Sequence, residues 1–265
     1  EKRIATIDRS IRGVIPSSQV DSMIDIIGSP YSSINMSLSE GALISSADAQ
    51  ILISLKKGHA PTADYIRALR AKLKSAYPET TFFFLAPDIS TQVLNFGLAA
   101  PIDLEVVGPI GSEDRTLAFA EELRAKVAKV QGAADVHLAQ VTKEPSLEVH
   151  VDRTMAQQSG LSERDVASDL LVSLASSGQV APTFWLDHRD VQYLVAVQTP
   201  QYDIDSVDAL KATPISTGST PQTLDNLATI SRSTTPVNIT HFNIARTFDV
   251  QANVADTDLG TVSDA

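Results

Sequence analysis

Residues 102–138 read IDLEVVGPIGSEDRTLAFAEELRAKVAKVQGAADVHL, and their pattern predicts a strand, a helix and a second strand in that order. The first strand is predicted over Ile102–Val107. The helix is capped within 112–114 and has apolar residues at helical spacing up to residue 130. The second strand is predicted over Asp135–Ala139. One helix covering two apolar strands is typical of a βαβ-type unit.

The same order of elements is predicted earlier in the chain. Residues 50–55 form a strong strand candidate, and a helix follows that Pro61 opens and Pro78 ends. The segment Thr80–Leu85 then reads as a strand rich in aromatic residues. Two such units in series predict two related α+β lobes.

Between the second unit and the end of the chain the pattern becomes mixed. A strand is predicted over Leu147–Val151, followed by helices that begin at Asp152 and Ser162. A hairpin is expected around 187–190, and residues 198–223 are rich in loop-forming types. These predictions give a stretch of mixed strands, helices and loops.

Composition excludes several classes of function. The 265 residues carry a net charge of −11 and no cysteine, which disfavours nucleic-acid partners, disulfides and thiolate metal sites. The longest apolar run, Phe82–Ala86, is far shorter than the ~20 residues of a membrane-spanning helix. The chain begins and stops inside amphipathic patterns and lacks a signal-peptide pattern, so we expect a fragment of a longer protein.

Motifs for catalysis or cofactor binding are missing from the sequence. It contains no phosphate-binding glycine loop, no nucleophile elbow and no metal-ligand spacing of histidines. His137 and His150 lie on predicted strands, and we interpret them as strand-surface residues, with a metal pair as the alternative. The turn 108–111 is interpreted as a tight turn, with an anion site as the alternative. Asp187 and Asp190 are interpreted as solvated loop charges. We expect no enzyme activity and no cofactor.

The run Phe82-Phe83-Phe84 is the most informative apolar feature. On a strand, Phe82 and Phe84 would point to one side and Phe83 to the other. One side packs on the neighbouring helix, and the other either joins the core or lines a cleft for an apolar ligand. Met23, Met36 and Met155 are too scattered in sequence for a thioether metal site and are interpreted as core residues.

Several stretches, in order and spacing, resemble the porter region of resistance-nodulation-division (RND) efflux transporters. They are the strand-helix-strand 102–136, the stretch PSLEVHVDR at 145–153 with the later GLS at 160–162, and LDNLATI at 224–230 followed by VQANV at 250–254. The resemblance covers roughly residues 100–265. The first hundred residues are similar chiefly through 51–55 and 82–87.

The resemblance implies an α+β fold of two βαβ-type, ferredoxin-like porter lobes with an inserted mixed α/β docking subdomain. Residues 1–98 would form the first lobe, residues 99–147 and 248–265 the second, and residues 148–247 the docking subdomain. The family's substrate cleft opens between the lobes. Carried over to this sequence, Leu52, Phe82 and Phe84 would face that cleft, bordered by the loop 39–48.

The same resemblance implies a periplasmic location in a bacterial inner-membrane protein. The expected partners are sister protomers of a homotrimer, a periplasmic adaptor protein, an outer-membrane channel and small hydrophobic substrates. The expected function is substrate binding and docking in a proton-driven pump that exports hydrophobic or amphiphilic compounds. A heavy-metal or lipid exporter of the same superfamily is the alternative, and a stand-alone α/β enzyme is a more distant one.

Overall fold

The structure is a computed structural model that describes residues 2–28, 43–85, 100–178, 180–216 and 221–265. Contacts between residues divide the chain into two compact units. The first comprises residues 1–144 and 235–265, and the second residues 145–234. No helix within the described ranges is both long enough and apolar enough to cross a membrane.

The first part of the first unit is built on an antiparallel strand pair and two helices. Helix α1 spans Lys2–Arg12, strands β1 and β2 span Val20–Ile27 and Ala49–Leu55, and helix α2 spans Thr62–Ala76. Apolar residues at three- and four-residue spacing give each helix one buried face. The helices and strands share one hydrophobic core: Ile7, Ile11, Ile15, Val20, Leu69 and Leu73. We call residues 2–28 and 43–85 the first lobe.

The remainder of the first unit contains the strand-helix-strand predicted over 102–138. Strand β3 covers Ile102–Val107, helix α3 Glu113–Val127 and strand β4 Ala133–Leu138. These bounds confirm the predicted order of elements. We call residues 100–144 and 235–265 the second lobe.

Strand β12, which covers Ala245–Val254, lies between β3 and β4 in the sheet of the second lobe. Both neighbours run antiparallel to it, so β3 and β4 are parallel to each other, as in a split βαβ unit. Strand β11, Thr240–Phe242, forms a hairpin with the start of β12. Helix α3 covers one face of this sheet around Val106, Ala120, Phe248 and Val250. A last helix, α8, spans Leu259–Ser263.

The second unit has its own core. Its strands are β5, Glu144–Val151, and β10, Ala228–Thr235, which pair with each other; the β6–β7 hairpin, Thr183–Leu186 and Gln192–Val195; and the short β8–β9 pair, Pro214–Ile215 and Gln222–Thr223. Its helices are α4, Arg153–Gln158; α5, Glu163–Ala175; α6, Val207–Lys211; α7, Leu224–Leu227; and a 3-10 turn, Gln201–Asp203. Val166, Ile215 and Leu224 are fully buried at its centre.

One expectation differs from the structure. Residues 81–85 are irregular instead of forming a strand, because Phe82 and Phe84 pack on the α1–α2 core while the Phe84 carbonyl accepts a side-chain hydrogen bond from Asn253. By contacts, residues 235–265 group with the first unit, and β11 at Thr240–Phe242 pairs with β12. The contacts place both lobes in one unit, and the lobe bounds 1–98 and 99–147 with 248–265 stay predictions.

Candidate functional site

An exposed apolar face lies on the outer side of the β1–β2 pair. Leu52 is directly opposite Ile24 in the strand register, and their exposed fractions are 45% and 57%. Ile26, also exposed, follows Ile24 on the same side, since alternate residues of a strand share a face. Ile51 and Ile53 point the other way and pack on the core of the first lobe. The alternation in the sequence therefore places Leu52 at the surface.

Phe82 and Phe84 lie on the core side of the first lobe. Both are half-buried against the cluster that contains Leu69 and Leu73. The Phe82 ring centroid is 6.1 Å from that of Tyr77, and the guanidinium of Arg70 sits 5.4 Å from the centre of the Phe84 ring. The structure brings Phe82 and Phe84 together, whereas Leu52 lies on the opposite face of the β1–β2 pair.

Phe83 contacts the second lobe. Its ring stacks on His137 with centroids 4.2 Å apart and an interplanar angle of 14°. His137 is only 8% exposed, so its interpretation as a strand-surface residue was wrong, because an aromatic side chain distant in sequence covers it. Its Nδ1 is 2.7 Å from the Asp135 carbonyl oxygen. Burial lowers the pKa of His137 below its ordinary value near 6.5.

A polar cluster that sequence reasoning missed joins the two lobes near His137. Arg70 on α2 donates two hydrogen bonds to Asp135, from Nε to Oδ1 at 2.8 Å and from Nη2 to Oδ2 at 2.7 Å. Asn253 on β12 donates from Nδ2 to Asp135 Oδ2 at 2.9 Å and to the Phe84 carbonyl at 2.7 Å. No spacing rule links an arginine at 70 to an aspartate at 135, so only the tertiary fold could show this pair.

The face of the second lobe's sheet that α3 does not cover is rich in carboxylates. Asp249 lies opposite Glu105, and Gln251 lies opposite Asp103 and bonds it at 3.1 Å. One carboxylate oxygen of Asp103 and one of Asp249 are buried without a hydrogen-bond partner. Burial raises the pKa of Asp249; the bond from Gln140 opposes this, and the charges of Asp103 and Glu105 add to it. In the sequence, the alternating acidic residues of the stretch IDLEVV, residues 102–107, were the signal that could have indicated this carboxylate-rich face.

Within the described ranges, no group of three or more His, Cys, Asp or Glu side chains is arranged to hold a metal ion. Met23 packs against the core of the first lobe, and Met155 is exposed in the second unit. His150 also belongs to the second unit, where its Nε2 is 3.6 Å from Glu148 Oε2. Met36 lies outside the described residues, as does the start of the loop 39–48.

The turn 108–111 is a structural feature. A Cβ atom added at Gly108 would lie 1.9 Å from Thr116 Oγ1, so the turn requires glycine for close packing on α3. The Gly111 N–H already donates to Glu113 Oε1 at 3.1 Å. These contacts favour the tight-turn interpretation over the anion-site alternative.

The β6–β7 hairpin confirms the turn expected around 187–190, and both of its faces are apolar and exposed. Phe184 pairs with Leu194 on one face and Trp185 with Tyr193 on the other. At the tip, Asp187 Oδ1 accepts from the backbone N–H groups of Arg189 and Val191 at 2.7 and 3.0 Å. Asp187 therefore shapes the turn in addition to being solvated.

A shallow groove of about 460 Å³ lies where α2 meets the end of β12, lined by Ala63, Ile66, Arg67, Arg70 and residues 254–257. Both arginines already have acidic partners. Arg67 pairs with Asp64 and Asp256, and Arg70 pairs with Asp135. The groove therefore offers no unpaired arginine to an anionic ligand.

Comparison with known proteins identifies relatives. The cobalt-zinc-cadmium resistance protein CzcA of Cupriavidus metallidurans and the cation efflux system protein CzcA of an Alcaligenes species are each 26% identical over 214 residues, which is 78% of this chain and 19% of theirs. The chain thus spans about a fifth of the length of these curated relatives.

Solved structures share the fold. Two crystal forms of a heavy metal efflux pump superpose with TM-scores of 0.75 and 0.74 at 19% identity, covering 99% of this chain and 26% and 27% of the pump chain. The model of the AcrB/AcrD/AcrF family matches residues 17–265. The chain therefore belongs to the AcrB/AcrD/AcrF family, whose members are transporters and not enzymes.

Proposed function

We propose that this chain is the periplasmic substrate-binding and docking portion of a proton-driven RND efflux pump that exports hydrophobic or amphiphilic compounds. The family match over residues 17–265 supports the assignment to a transporter. The exposed face around Leu52 and Ile24 supports an apolar substrate, because water-exposed apolar side chains gathered on one sheet face mark binding surfaces in soluble domains.

Within this proposal, Leu52 contacts substrate directly and Ile24 extends the same surface. Phe82 and Phe84, half-buried on the opposite side of the strand pair, do not line this surface and are proposed only as secondary contacts on the core side. Their contribution to affinity is therefore smaller than that of Leu52, and part of the effect of removing either ring is a loss of core packing.

A titration with the uncharged dye Nile red tests this site. Leu52→Ser and Ile24→Ser remove apolar area from the proposed surface without opening the core, so both variants should bind dye more weakly than the unsubstituted chain. Ile110→Ser is the matched control, because Ile110 is 79% exposed on the β3–α3 turn, in the second lobe. Equal weakening by all three substitutions, or no saturable binding at all, would remove the support for this surface.

Export of divalent metal cations is the second candidate. It is favoured by the names of the relatives, a cobalt-zinc-cadmium resistance protein and a cation efflux protein, and is compatible with the net charge of −11. Calorimetric titration with Zn²⁺, Co²⁺ and Cd²⁺ separates the two candidates. Micromolar binding of a metal together with no binding of dye would favour this second candidate. Lipid export would instead produce binding of long-chain phospholipid in the same dye assay.

The docking role is assigned to the second unit. A two-stranded hairpin with two apolar faces is unstable in water unless something covers it. The β6–β7 hairpin exposes Phe184, Trp185, Tyr193 and Leu194, which supports contact with another protein. The proposed partners are sister protomers of a homotrimer, a periplasmic adaptor protein and an outer-membrane channel.

A further inference from the structure

The outer face of the β1–β2 pair changes from apolar to polar along its length. Its three cross-strand pairs are, in order along the strands, Ile26 with Gln50, Ile24 with Leu52 and Ser22 with Ser54. None of the side chains in these pairs carries a charge. The apolar side chains therefore adjoin one another, and two hydroxyl groups lie together at the end of the face nearest Leu55.

A lysine continues the polar end of this face. The Lys56 N–H donates to the Gln19 carbonyl at 2.9 Å, so the pairing of the two strands extends one residue beyond β2. Residues 52, 54 and 56 are exposed and residues 51, 53 and 55 are half-buried, so alternation places the Lys56 side chain on the outer face. Lys56 lies four residues from Leu52, or about 13 Å along the strand.

The ammonium group of Lys56 is available to a ligand. In the part of the chain that the structure describes, Lys56 takes part in no ion pair. The adjacent Lys57 is also exposed, and the exposed Asp21 lies opposite this end, at the bulge of β1. Asp25 alternates with the outer-face residues and lies on the core side. Two lysines against one aspartate leave this end of the face positive.

We propose that the outer β1–β2 face binds a free anionic amphiphile with one alkyl tail, such as a fatty-acid carboxylate, in a single orientation. The tail covers Ile24 and Leu52, and the head group lies beside Ser54 and Lys56. The hydroxyl and the ammonium group donate hydrogen bonds to the carboxylate, while the same ammonium group repels cationic amphiphiles and metal cations. This inference rests on the proposed apolar surface and adds the charge and the direction of its ligand.

The occupant is the free amphiphile and not the surface of a bilayer. Attraction to an anionic bilayer requires clusters of about four to eight basic residues. The polar end of this face offers Lys56 and Lys57, with Asp21 opposed to them. The net charge of −11 also repels an extended anionic surface, whereas a single carboxylate interacts mainly with the groups nearest to it.

Calorimetric titration with three ligands that share a decyl tail tests the proposal: decanoate, uncharged decyl maltoside and decyltrimethylammonium, each below its micelle concentration. Decanoate should bind most tightly and the cation most weakly. Lys56→Gln should lower the affinity for decanoate about two- to fivefold, as expected for one exposed charge pair, and leave that for decyl maltoside unchanged. Lys74→Gln is the matched control, since Lys74 is exposed on α2, and it should change neither affinity.

Equal affinities for the three ligands, or equal effects of Lys56→Gln and Lys74→Gln, would overturn the proposal. If Leu52→Ser still weakens the binding of decyl maltoside in that case, the proposed function stands and only the head-group assignment fails. No binding of any of the three ligands would remove both. Sedimentation of the chain with phosphatidylglycerol vesicles that Lys56→Gln abolishes would assign this lysine to a membrane surface and would also contradict the proposal.

Discussion

At the scale of single residues, close contacts explain positions that look unremarkable in the sequence. Gly108 lies against the hydroxyl and methyl groups of Thr116, which is buried on α3. Asp249 is surrounded by Asp103 and Glu105 and keeps one oxygen without a partner. Position 108 leaves no room for a side chain. At position 249 the folded state disfavours the charged form of the carboxylate.

Gly108→Ala should destabilise the chain by about 1–3 kcal/mol, because the new methyl group overlaps the Thr116 side chain. Urea unfolding followed by circular dichroism measures the change. Adding Thr116→Ala removes the overlapping Oγ1 atom, so the double variant should recover part of the loss. Additive losses in the double variant would show that the contact is not the cause.

Asp249→Asn should raise the melting temperature at pH 7.5 and leave it nearly unchanged at pH 3.5. The folded state raises the pKa of Asp249, so it binds a proton more readily than the unfolded chain does. The destabilisation from this group is therefore fully present above its folded-state pKa and disappears below the ordinary value of 3.8. The amide keeps an oxygen that accepts from Gln140. A lower melting temperature at pH 7.5 would contradict this reasoning.

At the scale of elements, local pattern predicted those strands and helices that bury a regular face. The run 102–138 places alternating residues on two sides of β3 and a helical stripe on α3, and both elements occur where predicted. Thr80–Leu85 has equally strong strand composition, yet it is irregular because Phe82 and Phe84 pack on a helix pair and Asn253 binds the backbone. Composition cannot reveal contacts made 169 residues away.

The candidate site shows the same limit. Strand periodicity was enough to place Leu52 on the outer face of β2, but its neighbour Ile24 comes from the other strand and depends on register. The pairing of Arg70 with Asp135 and the stacking of Phe83 on His137 join segments far apart in the chain, so no window of sequence contains both partners.

The β6–β7 hairpin should drive self-association of the chain at high concentration. Its two apolar faces are exposed, and Trp185, the single tryptophan, lies on one of them. Sedimentation velocity over a concentration series should show larger species that are reduced by Trp185→Ser with Tyr193→Ser. Ile110→Ser with Leu104→Ser, which removes exposed apolar residues of the second lobe, is the control. If both double variants sediment alike and like the unsubstituted chain, the hairpin is not the contact.

At the scale of the whole molecule, the described part of the chain is organised as two units, the first with a separate buried cluster in each lobe and the second with one core. The second unit, 145–234, draws its core entirely from within that segment, and it is bounded by the paired strands β5 and β10. Independent cores of this size are expected to unfold as separate cooperative units. The first unit, which the second interrupts in sequence, supplies the candidate apolar face and the Arg70–Asp135 contact between its lobes.

The segment 145–234 should therefore fold when expressed alone. Far-ultraviolet circular dichroism should show helix and strand content, and urea should unfold it in one cooperative transition. Leu224→Ala, at a fully buried position, should cost it about 2–5 kcal/mol and thereby show that the transition reports a packed core. A non-cooperative, featureless unfolding curve would show that the segment needs the rest of the chain.

An apolar or amphiphilic substrate is proposed to bind the outer face of the β1–β2 pair. The most direct test is chemical-shift mapping on the isotope-labelled chain titrated with a bile-salt amphiphile. Saturable shifts should cluster on residues 22–26 and 50–54, centred on Ile24 and Leu52. Shifts confined to the β6–β7 hairpin or the α2–β12 groove, with none around Leu52, would contradict it.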